Sequence, residues 1–228
     1  MIRHLLPAGV EVEEVAGREL DVELFPVEEA VVVQGGIRRR EFTTTRSCAR
    51  TALARLGVPP SPIVPGEGGA PQWPDGVVGS ITHCAGYRAV AVARAADVAA
   101  IGLDVVPGGD MPTHMLEAIA LPREQVHVSR LAEARPEIGW GKLLFSAKES
   151  VYKACYPLNR RRMGYRDVAI VPDLHSGAFT ARLTVPGPVV GGRQVTGFAG
   201  RWSVTGGLVM TAVAQPLFQT DEASSPRA

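Results

Sequence analysis

The 228-residue chain has little of several things, and each shortage removes a class of protein. Its three cysteines, Cys48, Cys84 and Cys155, are odd in number and far apart, with no Cys-x-x-Cys pair. That argues against a disulfide framework or a thiolate zinc site and suits reduced thiols in a cytoplasmic protein. No stretch approaches the roughly 20 apolar residues that a membrane span needs. The most apolar segment, 89–106, is broken by Arg94, Asp97 and Asp104, and the apolar run before Glu11 is too short for a secretory leader. An excess of one charge sign is also missing. Lys+Arg 24 against Asp+Glu 23 leaves +1, so bulk attraction to nucleic acid is not expected. With 46% apolar and 21% charged residues, the chain has a globular composition, enough for one large domain or two small ones fused.

Periodicity supplies the rest. Residues 1–25 show no clean period. A helix is predicted from Pro26, with Glu28 and Glu29 in its first turn; a break near Gly35 interrupts it. Ile37, Phe42, Thr45, Cys48, Ala49, Ala52, Leu53 and Leu56 continue the helical spacing until Gly57-Val-Pro-Pro stops it. Residues 59–76 are proline- and glycine-rich loop. Strands are predicted at 77–83, 88–94 and 99–106, then a loose region with a short helix around 114–120. The clearest helix runs from Pro136 to Pro157 and buries Trp140, Leu144, Ala147, Val151 and Ala154. Strands at 168–171, 178–185, 198–204 and 208–214 follow. Helix-then-strands occurs twice, which predicts an α+β fold of two pseudo-symmetric halves, 1–107 and 108–218. Each half is a long helix on a small, mainly antiparallel sheet, with the site in the cleft between them. The polar tail 219–228 is expected to fray.

Four segments carry residues suited to chemistry. In Ser146-Ala-Lys-Glu-Ser-Val-Tyr-Lys153, Glu149 and Lys153 share a helix face, as do Lys148 and Tyr152; alone, these are ordinary solvated pairs. Asp104, in Ile101-Gly-Leu-Asp104-Val-Val-Pro107, ends an apolar strand. It is either a turn former or a hard-metal ligand. Val78-Gly-Ser-Ile-Thr82-His83-Cys84-Ala-Gly86 can offer a hydroxyl, an imidazole and amides to a phosphate. Cys84 points away from its neighbour His83, which disfavours a Cys–His nucleophile. In the basic run, Arg39, Arg46 and Arg50 fall on one stripe and Arg38 somewhat off it, making a solvated face or an anion groove. Arg160-Arg161-Arg162 is a second basic cluster, either surface or a docking patch for an acidic partner.

In order and combination, EFTTTRSCARTAL, VGSITHCAGYRAVAVA, IGLDVV and FSAKESVYKACYP resemble the 4′-phosphopantetheinyl transferases of the Sfp/EntD-like group, closest to actinobacterial members. The resemblance covers roughly residues 36–215. It implies a monomer that moves the 4′-phosphopantetheine arm of coenzyme A to a serine of an apo acyl or peptidyl carrier protein, releasing 3′,5′-ADP. Such carriers serve fatty-acid, polyketide, nonribosomal peptide and siderophore synthesis. By position it implies Asp104 and Glu149 as Mg²⁺ ligands (Mn²⁺ as substitute), with the Val105 carbonyl or water beside them. It makes Lys148 and Lys153 phosphate contacts, Lys153 against the leaving group. Thr82, His83, Arg38 and Arg46 would bind the nucleotide, and Tyr152 would line the pocket. Catalysis would rest on Asp104, Glu149 and Lys153.

Two positions depart from the family pattern. Asp-x-Glu is replaced by Asp104-Val105-Val106, which removes a carboxylate. The loop 63–73, where a basic residue commonly meets coenzyme A, has no Lys or Arg. The alternatives are a non-catalytic coenzyme A or nucleotide binder that has lost its metal site at Val106, and a metal-dependent diphosphate hydrolase.

Overall fold

The computed structural model describes residues 1–20, 22–32 and 35–218, so the tail 219–228 lies outside the described residues. The elements are β1 (Glu11–Ala16), α1 (Pro26–Glu29), α2 (Gly36–Arg55), β2 (Val77–Cys84), β3 (Tyr87–Arg94) and β4 (Val98–Pro107). Then come α3 (Thr113–Ile119), α4 (Pro122–Ala134), α5 (Trp140–Asn159), β5 (Val168–Pro172), β6 (Ala178–Leu183), β7 (Val189–Val190), β8 (Arg193–Gln194), β9 (Gly197–Thr205) and β10 (Leu208–Pro216). The fold is α+β, with antiparallel sheets ordered β1-β3-β2, β4-β10-β9-β6-β5 and β7-β8.

Three expectations change. Residues 11–16 form a strand that the pattern did not announce, because its buried residues Val12 and Val15 are three apart and break the two-residue alternation. Ile37, assigned to the buried stripe of α2, is exposed at the first turn, and the buried face begins at Thr43. A second helix, α4, occupies the region expected to be loose after α3. Its buried set is Glu124, Val128 and Leu131, and a glutamate in the first buried slot hides the apolar period.

The strand β4 follows β3 in sequence and lies beside β2 in space but belongs to the other sheet. It pairs with β10, Asp104 opposite Thr211 and Val106 opposite Val209. As the edge of the five-stranded sheet it presents unpaired amides towards β2, the edge of the three-stranded one. Ser80 Oγ accepts from Leu103 N and Thr82 Oγ1 from Val105 N, both at 3.0 Å. Side-chain hydroxyls therefore close a seam that no ladder spans.

Two helices, α1 and α4, start by the same device. Phe25-Pro-Val-Glu28 and Leu121-Pro-Arg-Glu124 each start a helix with proline, and each glutamate is almost completely buried. Glu28 accepts from its N-cap amide Phe25 N (3.0 Å), from Ile63 N (2.8 Å) and from Arg50 of α2 (2.5 Å). Glu124 accepts from its N-cap amide Leu121 N (2.6 Å), from Ile170 N (2.7 Å) and from Lys148 of α5 (2.9 Å). In both cases one buried carboxylate ties a helix start, a later segment and a cation on a 20-residue helix.

The helix α5 crosses β4 at Gly102. A Cβ there would stand 1.8 Å from the Ser150 carbonyl oxygen and 2.9 Å from Ala154 N, so only glycine permits the approach. The substitution Gly102→Ala is expected to cost at least about 1–3 kcal/mol through forced separation of helix and strand. A lowered urea midpoint checks this; an unchanged midpoint would contradict the close approach.

Candidate active site

That approach sets the chemistry. With Gly102 against Ser150 and Ala154, Asp104 meets Lys153, one turn beyond Glu149 on α5. Lys153 Nζ donates to Asp104 Oδ1 at 2.7 Å and to the Leu103 carbonyl at 2.9 Å. Asp104 is 6% exposed, and its Oδ2 is buried without a hydrogen-bond partner. A buried carboxylate oxygen left unpaired is costly, and such an oxygen fits a cation that completes its shell. Glu149 Oε1 accepts from the Tyr165 hydroxyl at 2.7 Å. Burial, Glu149 and then Asp104 all push the Tyr165 hydroxyl's pKa up, so this phenol stays a proton donor, with both carboxylates acting on it. Tyr165, which also packs its ring on Phe145, was not identified from sequence; it lies beyond α5, with no spacing to link it to Glu149.

Beyond this cluster opens a cavity of about 1000 Å³. Its wall carries Arg38 and Arg46 from α2, His83 from β2, and Glu149, Tyr152 and Lys153 from α5. The wheel favoured Arg39 over Arg38, but Arg39 is held by Glu29 in a two-pronged ion pair, while Arg38 lines the cavity. Arg46 is 6% exposed and fixed by three contacts. Its Nε donates to the Ile63 carbonyl at 2.7 Å, its Nη1 to Thr45 Oγ1 at 3.3 Å, and its guanidinium lies 3.8 Å from the Phe42 ring centroid. Desolvation lowers the Arg46 pKa to about 10, so it remains a cation at neutral pH. His83 is half exposed, with Nδ1 3.6 Å from Glu41, and Arg88 reaches the same carboxylate at 3.5 Å. Burial lowers the His83 pKa, opposed by Glu41, so the imidazole is neutral at pH 7.

Other assigned residues stand elsewhere. Thr82 touches the cavity, but its hydroxyl is 2% exposed and spent on the β2–β4 seam, so its first role is to close the fold. Lys148 does not reach the main cavity wall. It is 1% exposed, and its three N–H donors go to Glu124 and the carbonyls of Tyr165 (2.7 Å) and Val168 (2.8 Å). Desolvation lowers its pKa, and Glu124 opposes the shift. It lines only a side pocket of about 200 Å³ with Glu149, Tyr152 and Tyr165. Sequence spacing set it on the surface because its partner helix α4 was not foreseen. Arg160, grouped with a docking patch, lines the main cavity instead, with Tyr156 and the loop residues Gly68 and Gln72.

Among the described residues no three His, Cys, Asp or Glu side chains stand together as a metal cluster. Asp104 is paired with Lys153, and Glu149 with the Tyr165 hydroxyl. Val106 shares the Asp104 face of β4 but packs on the core. The Val105 amide points to β2, and in an antiparallel strand its carbonyl points the same way, the edge on which the Leu103 carbonyl meets Lys153. None of the thiols is an activated nucleophile: burial raises all three pKa values, Cys48 and Cys155 to about 11.

A nucleotide-sized cavity with a cationic wall, ending at an acid–lysine cluster, defines an enzyme that acts on a phosphorylated co-substrate. Family comparison makes it specific. The model of the 4′-phosphopantetheinyl transferase N-terminal domain matches residues 28–93, and that of the 4′-phosphopantetheinyl transferase superfamily residues 100–204. The chain is 54% identical over 192 residues to 4′-phosphopantetheinyl transferase Svp of Streptomyces mobaraensis, covering 84% of this chain and 78% of that one. It is 43% identical to 4′-phosphopantetheinyl transferase PptT of Mycobacterium tuberculosis (93% and 97% covered) and 41% to 4′-phosphopantetheinyl transferase Npt of Nocardia iowensis (94% and 99%). The chain belongs to the 4′-phosphopantetheinyl transferase family, which transfers the phosphopantetheine group from coenzyme A to carrier proteins. No helix among the described residues is long and apolar enough to cross a membrane.

The buried Lys148–Glu124 pair gives a test. Lys148→Met leaves a buried carboxylate uncompensated and is expected to cost about 3–5 kcal/mol. Chemical denaturation measures it, and a wild-type midpoint would contradict the burial described.

Proposed function

We propose that the chain works as a monomeric, cytoplasmic, Mg²⁺-dependent transferase built from a duplicated α+β unit, with coenzyme A in the cavity between the halves. What carries this reading is the cavity itself: Arg38, Arg46, His83, Glu149 and Lys153 on its wall, with Asp104 bound to Lys153. The matching glutamate anchors Glu28 and Glu124 support the duplication. Arg38 and Arg46 bind phosphate, Arg46 already oriented by Ile63 and Phe42, so little freedom is lost on binding. Tyr152 lines the pocket beside them.

The serine hydroxyl of an apo acyl or peptidyl carrier protein attacks the phosphorus that bears the pantetheine arm. The new P–O bond forms as the bond to 3′,5′-ADP breaks. Glu149 accepts the serine proton, with its other oxygen steadied by Tyr165. Lys153 donates to the departing diphosphate oxygen, its position set by Asp104 and the Leu103 carbonyl. Asp104 through its unpaired Oδ2, Glu149 and the Val105 carbonyl or water are the residues that would hold Mg²⁺, or Mn²⁺ in its place. The ion would polarise the diphosphate. With valine at 106, fewer anionic ligands are offered than in an Asp-x-Glu site, and weaker metal binding follows.

Two outcomes test the reading. Incubated with coenzyme A, Mg²⁺ and this protein, an apo carrier protein gains the mass of one phosphopantetheine arm, and Glu149→Gln removes the gain while melting like wild type. No mass gain on several unrelated carriers would count against the transfer, and a fully active Glu149→Gln against its role. Because burial holds His83 neutral, a phosphate set against it will raise its pKa. Coenzyme A binding should therefore take up a proton at mildly acidic pH. Calorimetry in buffers of different ionisation enthalpy reads this uptake, which should vanish in His83→Gln; an uptake that persists would assign it elsewhere.

A further inference from the structure

The loop 63–73 forms part of the cavity wall through Pro65, Gly68, Gly69 and Gln72, yet brings no cation to it. Gly68 sits against the Tyr156 hydroxyl, where a Cβ would fall within 2.6 Å, so this loop and the last turns of α5 are in contact. Four residues beyond Tyr156 the helix ends at Arg160. Its amide donates to the Tyr156 carbonyl at 2.8 Å, and its backbone is left-handed, φ 55° and ψ 18°. Helices commonly end in this conformation, but with glycine or asparagine, since a Cβ there is strained. Among the described residues Arg160 is the only non-glycine with positive φ. The chain thus keeps a long cationic side chain where glycine fits with less strain, and that side chain lines the cavity. No carboxylate or carbonyl among the described residues holds its guanidinium.

Strain held at a site that faces a ligand cavity, on a cation with no internal partner, points to a ligand-binding role. We propose that Arg160 binds a phosphate group of coenzyme A from the α5 side of the cavity, supplying the charge that the loop 63–73 lacks. The proposal rests on the transferase reading above. The left-handed cap turns the chain at the cavity rim, and the guanidinium meets the anion as a charge-assisted hydrogen-bond donor.

The test is calorimetric binding of coenzyme A to the full chain with Mg²⁺, for wild type and for Arg160→Gln, Arg160→Lys and Arg160→Gly. Arg160→Gln is expected to weaken binding about tenfold, and Arg160→Lys to stay within about threefold of wild type. Arg160→Gly relieves the backbone and should raise the melting temperature while still losing affinity, which separates ligand contact from helix termination. A loss confined to coenzyme A and absent with 3′-dephospho-coenzyme A places the contact on the 3′-phosphate; a loss with both places it on the diphosphate. If wild type binds and transfers while Arg160→Gln and Arg160→Gly bind within about twofold of it, the proposal for Arg160 is overturned and the transferase reading stands. Wild type that does not bind coenzyme A would overturn both.

Discussion

One contact governs this molecule: the crossing of α5 over β4 at Gly102, so close that a methyl group would collide with the Ser150 carbonyl. Because the approach is that tight, the carboxylate two residues on from Gly102 reaches the lysine three residues on from Ser150. Glu149, one residue before that serine, lines the cavity together with that lysine. Any wider spacing would part Asp104 from Lys153 and leave a buried charge without its counter-ion, which is costly. Glycine in the Gly-Leu-Asp segment is thus a packing requirement with a chemical consequence.

Around this crossing, buried polar groups rather than extra apolar area fix the geometry. The hydroxyls of Ser80 and Thr82 satisfy the edge amides of β4, so two sheets meet without a ladder. Glu28 and Glu124 each bind three donors from separate parts of the chain. Buried ionic networks of this kind hold segments in one arrangement, since any alternative strands a buried charge. Lys148 belongs to this scaffold. Lys153, five residues on and 29% exposed at its side chain, belongs to the site.

Much of this was legible in the sequence, for physical reasons. The stripe of α5 announced a buried helix, and all five residues named for it are buried. The coincidence of Asp104 with the Glu149/Lys153 face pointed to the family before any coordinates. What stayed hidden depended on distant partners. Lys148 looks like a surface lysine until α4 delivers Glu124, and α4 is obscured because that same glutamate fills a buried slot. Strand periodicity located both β4 and β10 but not their pairing, which joins segments more than a hundred residues apart. Arg160 was read with Arg161 and Arg162 as one basic cluster. Only the left-handed end of α5 separates it from them and sets it on the cavity wall.

The proposed transfer depends on Asp104 and Glu149 holding a cation at the diphosphate of coenzyme A. Crystals grown with coenzyme A and Mn²⁺, measured for anomalous scattering at the manganese edge, test it directly. One strong peak is expected within coordination distance of Asp104 Oδ2, a Glu149 carboxylate oxygen and a diphosphate oxygen. Coenzyme A bound in the cavity with manganese remote from Asp104, or with its diphosphate away from both carboxylates, would contradict it.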